Sequence, residues 1–245
     1  MNELSEKSYW NEIHWKMTFP RIVKDKQYPA WVIDSFIEPF IKGKTLFEMG
    51  CGSSAWLPFL AKKYNLLVSG LDYTHIGAFN CKRNLTIQNI KFDEIIEQDV
   101  LTWDTDKKYD IIISFGLIEH FEKPETVLFN AYKHLNDGGL IITVIPNLMG
   151  LAHQLTHRFI PESSDGYKKI NKRILSGLHN SAGFNLLNCG YAGMIYPLLI
   201  PWSVRFKRLA FVNLLNAIIT KLFRALKFNP SSEYFSAFII YVGKK

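Results

Sequence analysis

Thr45-Leu46-Phe47-Glu48-Met49-Gly50-Cys51-Gly52-Ser53-Ser54-Ala55 is the stretch that decides the fold. It reads as a short apolar strand, a glycine-rich turn and the start of a helix. A turn of this composition lets backbone approach a ligand closely and aims free N–H groups at it. Glycine turns also occur wherever a chain needs positive φ and binds nothing. The surrounding sequence therefore has to carry the argument.

Outward from the turn, strand and helix patterns alternate. Residues 46–49 form the first strand, and 55–61 open a helix with Ser53 or Ser54 as N-cap and Pro58 in or near its first turn. Residues 66–71 form a second strand ending at Asp72, a helix spans 78–86, and 94–98 form a third strand ending at Asp99. Residues 109–115 are nearly continuously apolar, as expected of a strand buried on both faces. Pro124 starts a helix with Val127, Leu128, Ala131 and Leu135 on one stripe, ended by Asp137-Gly138-Gly139 before a strand at 140–145. A helix over 168–182 stops at Gly183, followed by strands at 184–191 and 236–242. Such alternation means right-handed βαβ units and a parallel sheet.

The sequence divides into an N-terminal aromatic cap or lid (1–42), a core (43–146), a cap insertion (147–167) and a core continuation (168–196). An apolar, basic insertion (197–233) and a last core strand (234–245) follow. In the cap, Val32, Ile33, Phe36, Ile37 and Phe40 share a helical face that ends near Gly43, preceded by a looser aromatic segment.

Composition narrows the function classes. A chain of 245 residues with 48% hydrophobic content can bury a full core. Its 29 Lys+Arg against 22 Asp+Glu give a net charge of +7, without any basic run, so a nucleic-acid partner is not expected. Cys51, Cys81 and Cys189 are widely spaced with no CxxC pair, which argues for a reducing, cytoplasmic setting over a disulfide framework or zinc site. Residues 2–7 carry no apolar stretch of a signal peptide, and no apolar run reaches the roughly eighteen residues of a transmembrane span. Residues 202–227 leave room for peripheral membrane contact, although their basic residues spread widely around a helical wheel and suit a helical cap or dimer contact better. Nothing in the sequence sets the oligomeric state.

Asp72 lies about twenty residues beyond the glycine turn, where a carboxylate can accept both hydroxyls of a ribose. Asp99 at the end of the third strand could accept from an adenine amino group. Ligands of open parallel sheets bind beyond the carboxyl ends of the strands, where Glu48, Asp72, Asp99 and Ser114 all fall.

Taken in order, Glu48-x-Gly50-x-Gly52, Leu71-Asp72, Gln98-Asp99-Val100 and Tyr109-Asp110-Ile111-Ile112 resemble class I S-adenosylmethionine-dependent methyltransferases. So do Leu117-Ile118-Glu119-His120-Phe121, Asp137-Gly138-Gly139-Leu140 and Ser181-Ala182-Gly183-Phe184. The likeness is close over 44–146 and looser over 168–196 and 234–245. It implies an α/β, Rossmann-like doubly wound sheet of seven mostly parallel strands plus a helical cap. The last strand would be antiparallel, inserted between the fifth and sixth. By this resemblance Glu48, Gly50 and Gly52, with Cys51 between them, would frame the methionine part of S-adenosylmethionine. Asp72 would hold the ribose with Tyr73 beside the adenosine, Asp99 and Val100 would meet the adenine, and Ser114 with Phe115 would floor the sulfonium. The family's usual third glycine is Ser54 here. The product would be S-adenosylhomocysteine.

Gly50-x-Gly52-x-x-Ala55 also fits a dinucleotide pattern, so an NAD-dependent oxidoreductase is an alternative. Glu48, Asp99 and the lack of a second nucleotide-binding half weigh against it. A non-catalytic binding protein on the same fold is a third reading.

Methyl transfer is an in-line displacement, helped mainly by positioning and desolvation. His120 is the candidate base where the acceptor must lose a proton, with Glu119 beside it. Glu119-His120 is similar to the metal-holding Glu-x-x-Glu-His of ubiquinone-type O-methyltransferases. The first of those positions is Gly116 here, so no metal is expected. Tyr9, Trp10, His14, His153 and His157 are candidates to touch the acceptor. Their aromatic and apolar surroundings suggest a small, apolar or aromatic molecule.

Overall fold

The computed structural model describes residues 6–26, 29–151, 153–154, 167–194, 218, 221–226, 228 and 230–245. Seven strands form one sheet: β1 (Thr45–Met49), β2 (Leu67–Asp72), β3 (Phe92–Glu97), β4 (Tyr109–Phe115), β5 (Leu135–Pro146), β6 (Asn185–Met194) and β7 (Ser236–Lys244). Their order is β3-β2-β1-β4-β5-β7-β6, with β7 antiparallel to both β5 and β6 and the other neighbours parallel. This is the expected doubly wound sheet with its last strand inserted between the fifth and sixth.

Side-chain alternation along each strand splits the core in two. Phe47, Ile112 and Ile141 pack on one face with Leu128 and Ala131 of α5 (Pro124–His134) and Leu175 of α6 (Lys172–Ser181). Leu46, Ile111 and Ile113 pack on the other with α2 (Ala30–Ile37), α3 (Trp56–Tyr64) and α4 (His75–Ile87). Capping explains where the helices begin. Ser54 Oγ accepts from the N–H groups of Trp56 and Leu57, Thr74 Oγ1 from Gly77 N–H, and Asn171 Oδ1 from Ile174 N–H. Gly183 ends α6 at φ +97°.

Several boundaries differ from the sequence reading. The first helix, α1 (Lys7–Trp15), occupies the segment expected to be loose. α4 starts three residues earlier than 78, at His75, because Thr74 caps it, and α6 starts at Lys172 because Asn171 does. Leu135 belongs to β5 instead of the helix stripe. Asp137-Gly138-Gly139 does not end the helix; it bulges within β5, where the register against β4 jumps from Tyr109↔Leu135 to Ile111↔Leu140 and Gly138 takes φ +76°. Most of the 147–167 and 197–233 segments, including His157, lies outside the described residues.

All three cysteines are buried and free. No helix among the described residues is long and apolar enough to cross a membrane. In the α6-side core, His179 is fully buried, with Nδ1–H donating to Leu175 O (2.8 Å) and Nε2 accepting from the Thr143 hydroxyl (2.8 Å), and burial pushes it down to about 3. On the other side, Asp34 ties α2 to α3 by accepting from Lys63 Nζ and, at 2.6 Å, from the Tyr64 hydroxyl.

Removing one partner of a mostly buried ion pair leaves the other uncompensated, which costs about 3 kcal/mol. Asp34→Ala should therefore lower the midpoint of thermal unfolding by roughly 6–12 °C, at about 2–4 °C per kcal/mol for a chain of this size. An unchanged midpoint in a calorimetric scan would show that the tie contributes nothing.

Candidate functional site

Strand order reverses between β1 and β4, and a ligand of an open α/β sheet sits at that point, beyond the carboxyl ends. A cavity of about 370 Å³ lies there. The glycine turn forms its floor. Gly50 and Gly52 have φ +68° and +38°. A Cβ on Gly50 would come within 2.8 Å of the Leu117 side chain, and one on Gly52 within 2.5 Å of His14 Cε1, so a larger residue at either position would be strained at its positive φ and would displace that neighbour.

Asp72 fixes the turn to β2. Its Oδ2 accepts the Gly52 N–H at 2.9 Å, and its Oδ1 accepts the Thr74 N–H at 2.9 Å and the Thr74 hydroxyl at 2.6 Å. Glu48, 3% exposed, accepts a 2.7 Å hydrogen bond from Ser54 Oγ. Burial pushes its carboxyl up to about 8; the Ser54 bond opposes that rise, Asp72 adds to it, and the Arg21 guanidinium opposes it. Ser54, where the family likeness lacks its third glycine, thus caps α3 and holds Glu48 at once.

The N-terminal segment roofs the cavity. Arg21 Nη1 donates to Ser53 O, and the Arg21 backbone is held by Asn84 (N–H to Oδ1 2.9 Å, Nδ2 to O 3.0 Å) and Gln88 (3.0 Å). His14 Nδ1 is 3.0 Å from Ser53 Oγ, and Asn80 donates to His14 O at 2.9 Å. Burial lowers the His14 imidazole, with Asp72 opposing and Arg21 reinforcing the effect. Trp56 stacks on Phe115 at 4.6 Å and 10° to form a side wall.

The geometry gathers most of the residues singled out from the sequence. Glu48 lines the cavity from β1, Gly50, Cys51 and Gly52 from the turn, Asp72 and Tyr73 from the end of β2, Asp99 and Val100 after β3, and Phe115 from the end of β4. His120 lines it from the turn Ile118–His120, and Trp10 and His14 from α1. Ser114 does not. It shares the pleat of Ile112, so its side chain is 0% exposed on the α5 side, and its Oγ has no hydrogen-bond partner among the described residues. Glu119 is also absent from the lining. It is 1% exposed behind Gly116, whose hypothetical Cβ would lie 3.4 Å from Oε1, and neither carboxylate oxygen has a hydrogen-bond partner among the described residues. Burial pushes it up to about 8. Tyr9 is half-exposed, and neither it nor His153 lines the cavity. Sequence reasoning missed Ile13, Met17 and Arg21 on the roof. Arg21 carried a signal: it is a charge set between the apolar Phe19-Pro20 and Ile22-Val23.

A family model described as a methyltransferase domain matches residues 24–188. Over 81 residues the chain is 32% identical to the (S)-tetrahydroprotoberberine N-methyltransferase of Eschscholzia californica, a match covering 33% of this chain and 23% of that protein. Over 157 residues it is 24% identical to the ubiquinone biosynthesis O-methyltransferase of Coxiella burnetii (strain Dugway 5J108-111), covering 60% of this chain and 66% of that one. The chain spans about a quarter of the length of the plant relatives it matches. Among solved structures, a SAM-dependent methyltransferase, possible histamine N-methyltransferase, from Thermotoga maritima aligns with a TM-score of 0.62 at 14% identity, over 97% of this chain and 93% of that one. Magnesium protoporphyrin IX methyltransferase from Synechocystis PCC 6803, solved with bound SAH, aligns at 0.55 and 13% identity, over 87% and 81%. At those identities the likeness is one of fold.

A carboxyl with a raised folded pKa keeps its proton in the native state while the unfolded chain has lost it. Its burden on folding therefore grows as pH rises from about 4.5 to about 8. Glu48→Gln removes that burden. Thermal scans should show the variant matching the parent near pH 5 and exceeding it by at least about 1 kcal/mol, some 2–4 °C, near pH 8.5. A difference independent of pH would mean that Glu48 is ionised throughout.

Proposed function

The chain belongs to the methyltransferase-domain family, and from that premise we propose that it uses S-adenosylmethionine to methylate a small, apolar or aromatic acceptor, leaving S-adenosylhomocysteine. One observation supports this most: a glycine turn at positive φ, closely approached by Leu117 and His14, lies between two buried carboxyls, Glu48 and Asp72, at the strand-order reversal. The family match also sets aside the nicotinamide reading of the same glycines.

The residues present suit the cofactor. A volume of about 370 Å³ falls within the range of small-molecule sites. Glu48 is buried with the Arg21 guanidinium near it, a cationic α-ammonium would add a second positive charge beside the carboxyl, and Arg21 would take the α-carboxylate. Asp72 Oδ2 accepts one hydrogen bond and keeps capacity for a ribose hydroxyl, with Asp99 and Val100 toward the adenine. Bound S-adenosylmethionine would supply a methyl group on a positively charged sulfur. The chain contributes alignment and dryness: the Trp56–Phe115 wall and the α1 roof exclude water from the reacting end. His120 would accept a proton from, or hydrogen-bond, an acceptor entering beneath Trp10, with Glu119 behind it. We place this activity in the cytoplasm.

Isothermal titration calorimetry tests the reading. S-adenosylmethionine and S-adenosylhomocysteine should both bind, and Asp72→Ala or Arg21→Ala should weaken each by about tenfold or more, the loss expected for a charge-assisted hydrogen bond. At pH 7, binding should release a proton as Glu48 ionises, seen as a dependence of the apparent enthalpy on the buffer's ionisation enthalpy. Absence of binding by either compound would defeat the proposal.

A further inference from the structure

His120 is gripped from two sides. The Trp10 indole on α1 meets its imidazole edge-on, with ring centroids 4.9 Å apart at 83°. The Tyr167 ring lies 4.3 Å from it at 51°. Trp10 and His120 both line the cavity, whereas Tyr167 stands outside the lining.

Tyr167 is held independently of the cavity. Lys168 N–H donates to Glu119 O at 2.6 Å, and Lys168 Nζ donates to Glu122 O at 2.7 Å, so the segment is stapled to the turn that carries His120. Ile170, 1% exposed, anchors its other end in the α5-side core. Burial raises the Tyr167 phenol, with the nearby Tyr9 phenol and Glu119 adding to the rise, and Tyr9 packs edge-on against Trp10 at 5.3 Å. The ring contacts form a chain: Tyr167 to His120, His120 to Trp10, and Trp10 to Tyr9.

An imidazole that must meet an acceptor in one orientation needs its ring plane fixed. Aromatic contacts on two sides restrict the rotation of such a ring. We propose that Tyr167 is a positioning residue that, with Trp10, clamps the His120 imidazole and makes its orientation depend on the seating of α1. The proposal rests on the reading of His120 as the group that faces the acceptor. It gives a role to a residue with no atom in the cavity lining, and to Tyr9, which the cavity geometry alone leaves without one.

Nuclear magnetic resonance on the full chain reads the clamp directly. In the parent protein the His120 ring protons should show nuclear Overhauser contacts to both the Tyr167 and Trp10 rings, and the absence of either overturns the proposal. Tyr167→Leu should shift the His120 ring resonances and remove their ring-current displacement, while those of His179 in the core stay in place. Tyr167→Phe should restore the parent positions, because it keeps the ring and loses only the hydroxyl. Unmoved resonances in Tyr167→Leu, or equal movement in both variants, would overturn the clamp. Calorimetry with S-adenosylhomocysteine separates the two ideas. A parent chain that binds none of it removes the methyltransferase reading, whereas a Tyr167→Leu variant that loses about tenfold in affinity for it shows Tyr167 serving the cofactor instead of His120.

Discussion

One carboxylate, Asp72, holds the site together. Its two oxygens accept three hydrogen bonds, from the Gly52 N–H in the turn and from the N–H and hydroxyl of Thr74. Thr74 in turn caps α4 through the Gly77 N–H. The end of β2, the glycine turn after β1 and the first turn of α4 are therefore fixed to one another by a single buried side chain. Gly77 is part of the same constraint: a Cβ there would lie 2.5 Å from Asp72 Oδ1. The helix can approach the carboxylate this closely only because that position has no side chain. The Cys51 N–H, bonded at 2.7 Å to Leu71 O, adds a backbone stitch beside it. Such a turn is organised before any ligand arrives, so ordering it does not count against binding.

The roof is fastened by a different device. Asn80, Asn84 and Gln88 lie along the face of α4 that meets the N-terminal segment, and all three donate to backbone carbonyls of His14 or Arg21. These bonds grip the path of the chain instead of its side chains. Side chains of the roof are thus left to face the cavity, where Trp10, His14 and Arg21 supply an aromatic surface, a neutral-leaning imidazole and a cation. The cavity is correspondingly uneven, with buried carboxyls toward the turn and rings toward His120.

How much of this the sequence carried varied with the kind of signal. The sheet and its crossovers were legible because β4 is apolar on both faces and because turn-forming carboxylates mark the strand exits, Asp72 as the last residue of β2 and Asp99 two residues after β3. Helix starts shifted where a cap decided the boundary: Thr74 lies before the expected start at 78, and Asn171 lies inside the expected 168–182. Leu135 misled because an apolar residue at helical spacing is equally at home as the first residue of a strand. At the site, residues within the turn and at strand ends could be read from local order. Ser114 could not be placed correctly by proximity in sequence alone: pleat alternation against Ile112 turns it away from the cavity. Arg21 and Tyr167 reach the site from 32 residues before Ser53 and from the far side of the sheet, and such contacts leave no periodic trace.

The position of β7 bears on the order in which this architecture closes. β1 to β5 join through successive local crossovers, and the glycine turn, Asp72 and Asp99 all belong to them. β6 is different, because its pairing among the described strands is with β7 alone. Its neighbour must also span to β5, where Leu140 meets Lys244 across most of the second half of the chain. Loop-closure entropy grows with that separation, and non-local pairings are the slow ones. Apart from the β1–β4 seam, where Leu46 meets Ile111, the cavity-bearing half of the sheet can thus draw on shorter closures, while the β5–β7 seam waits for a strand drawn from late in the sequence.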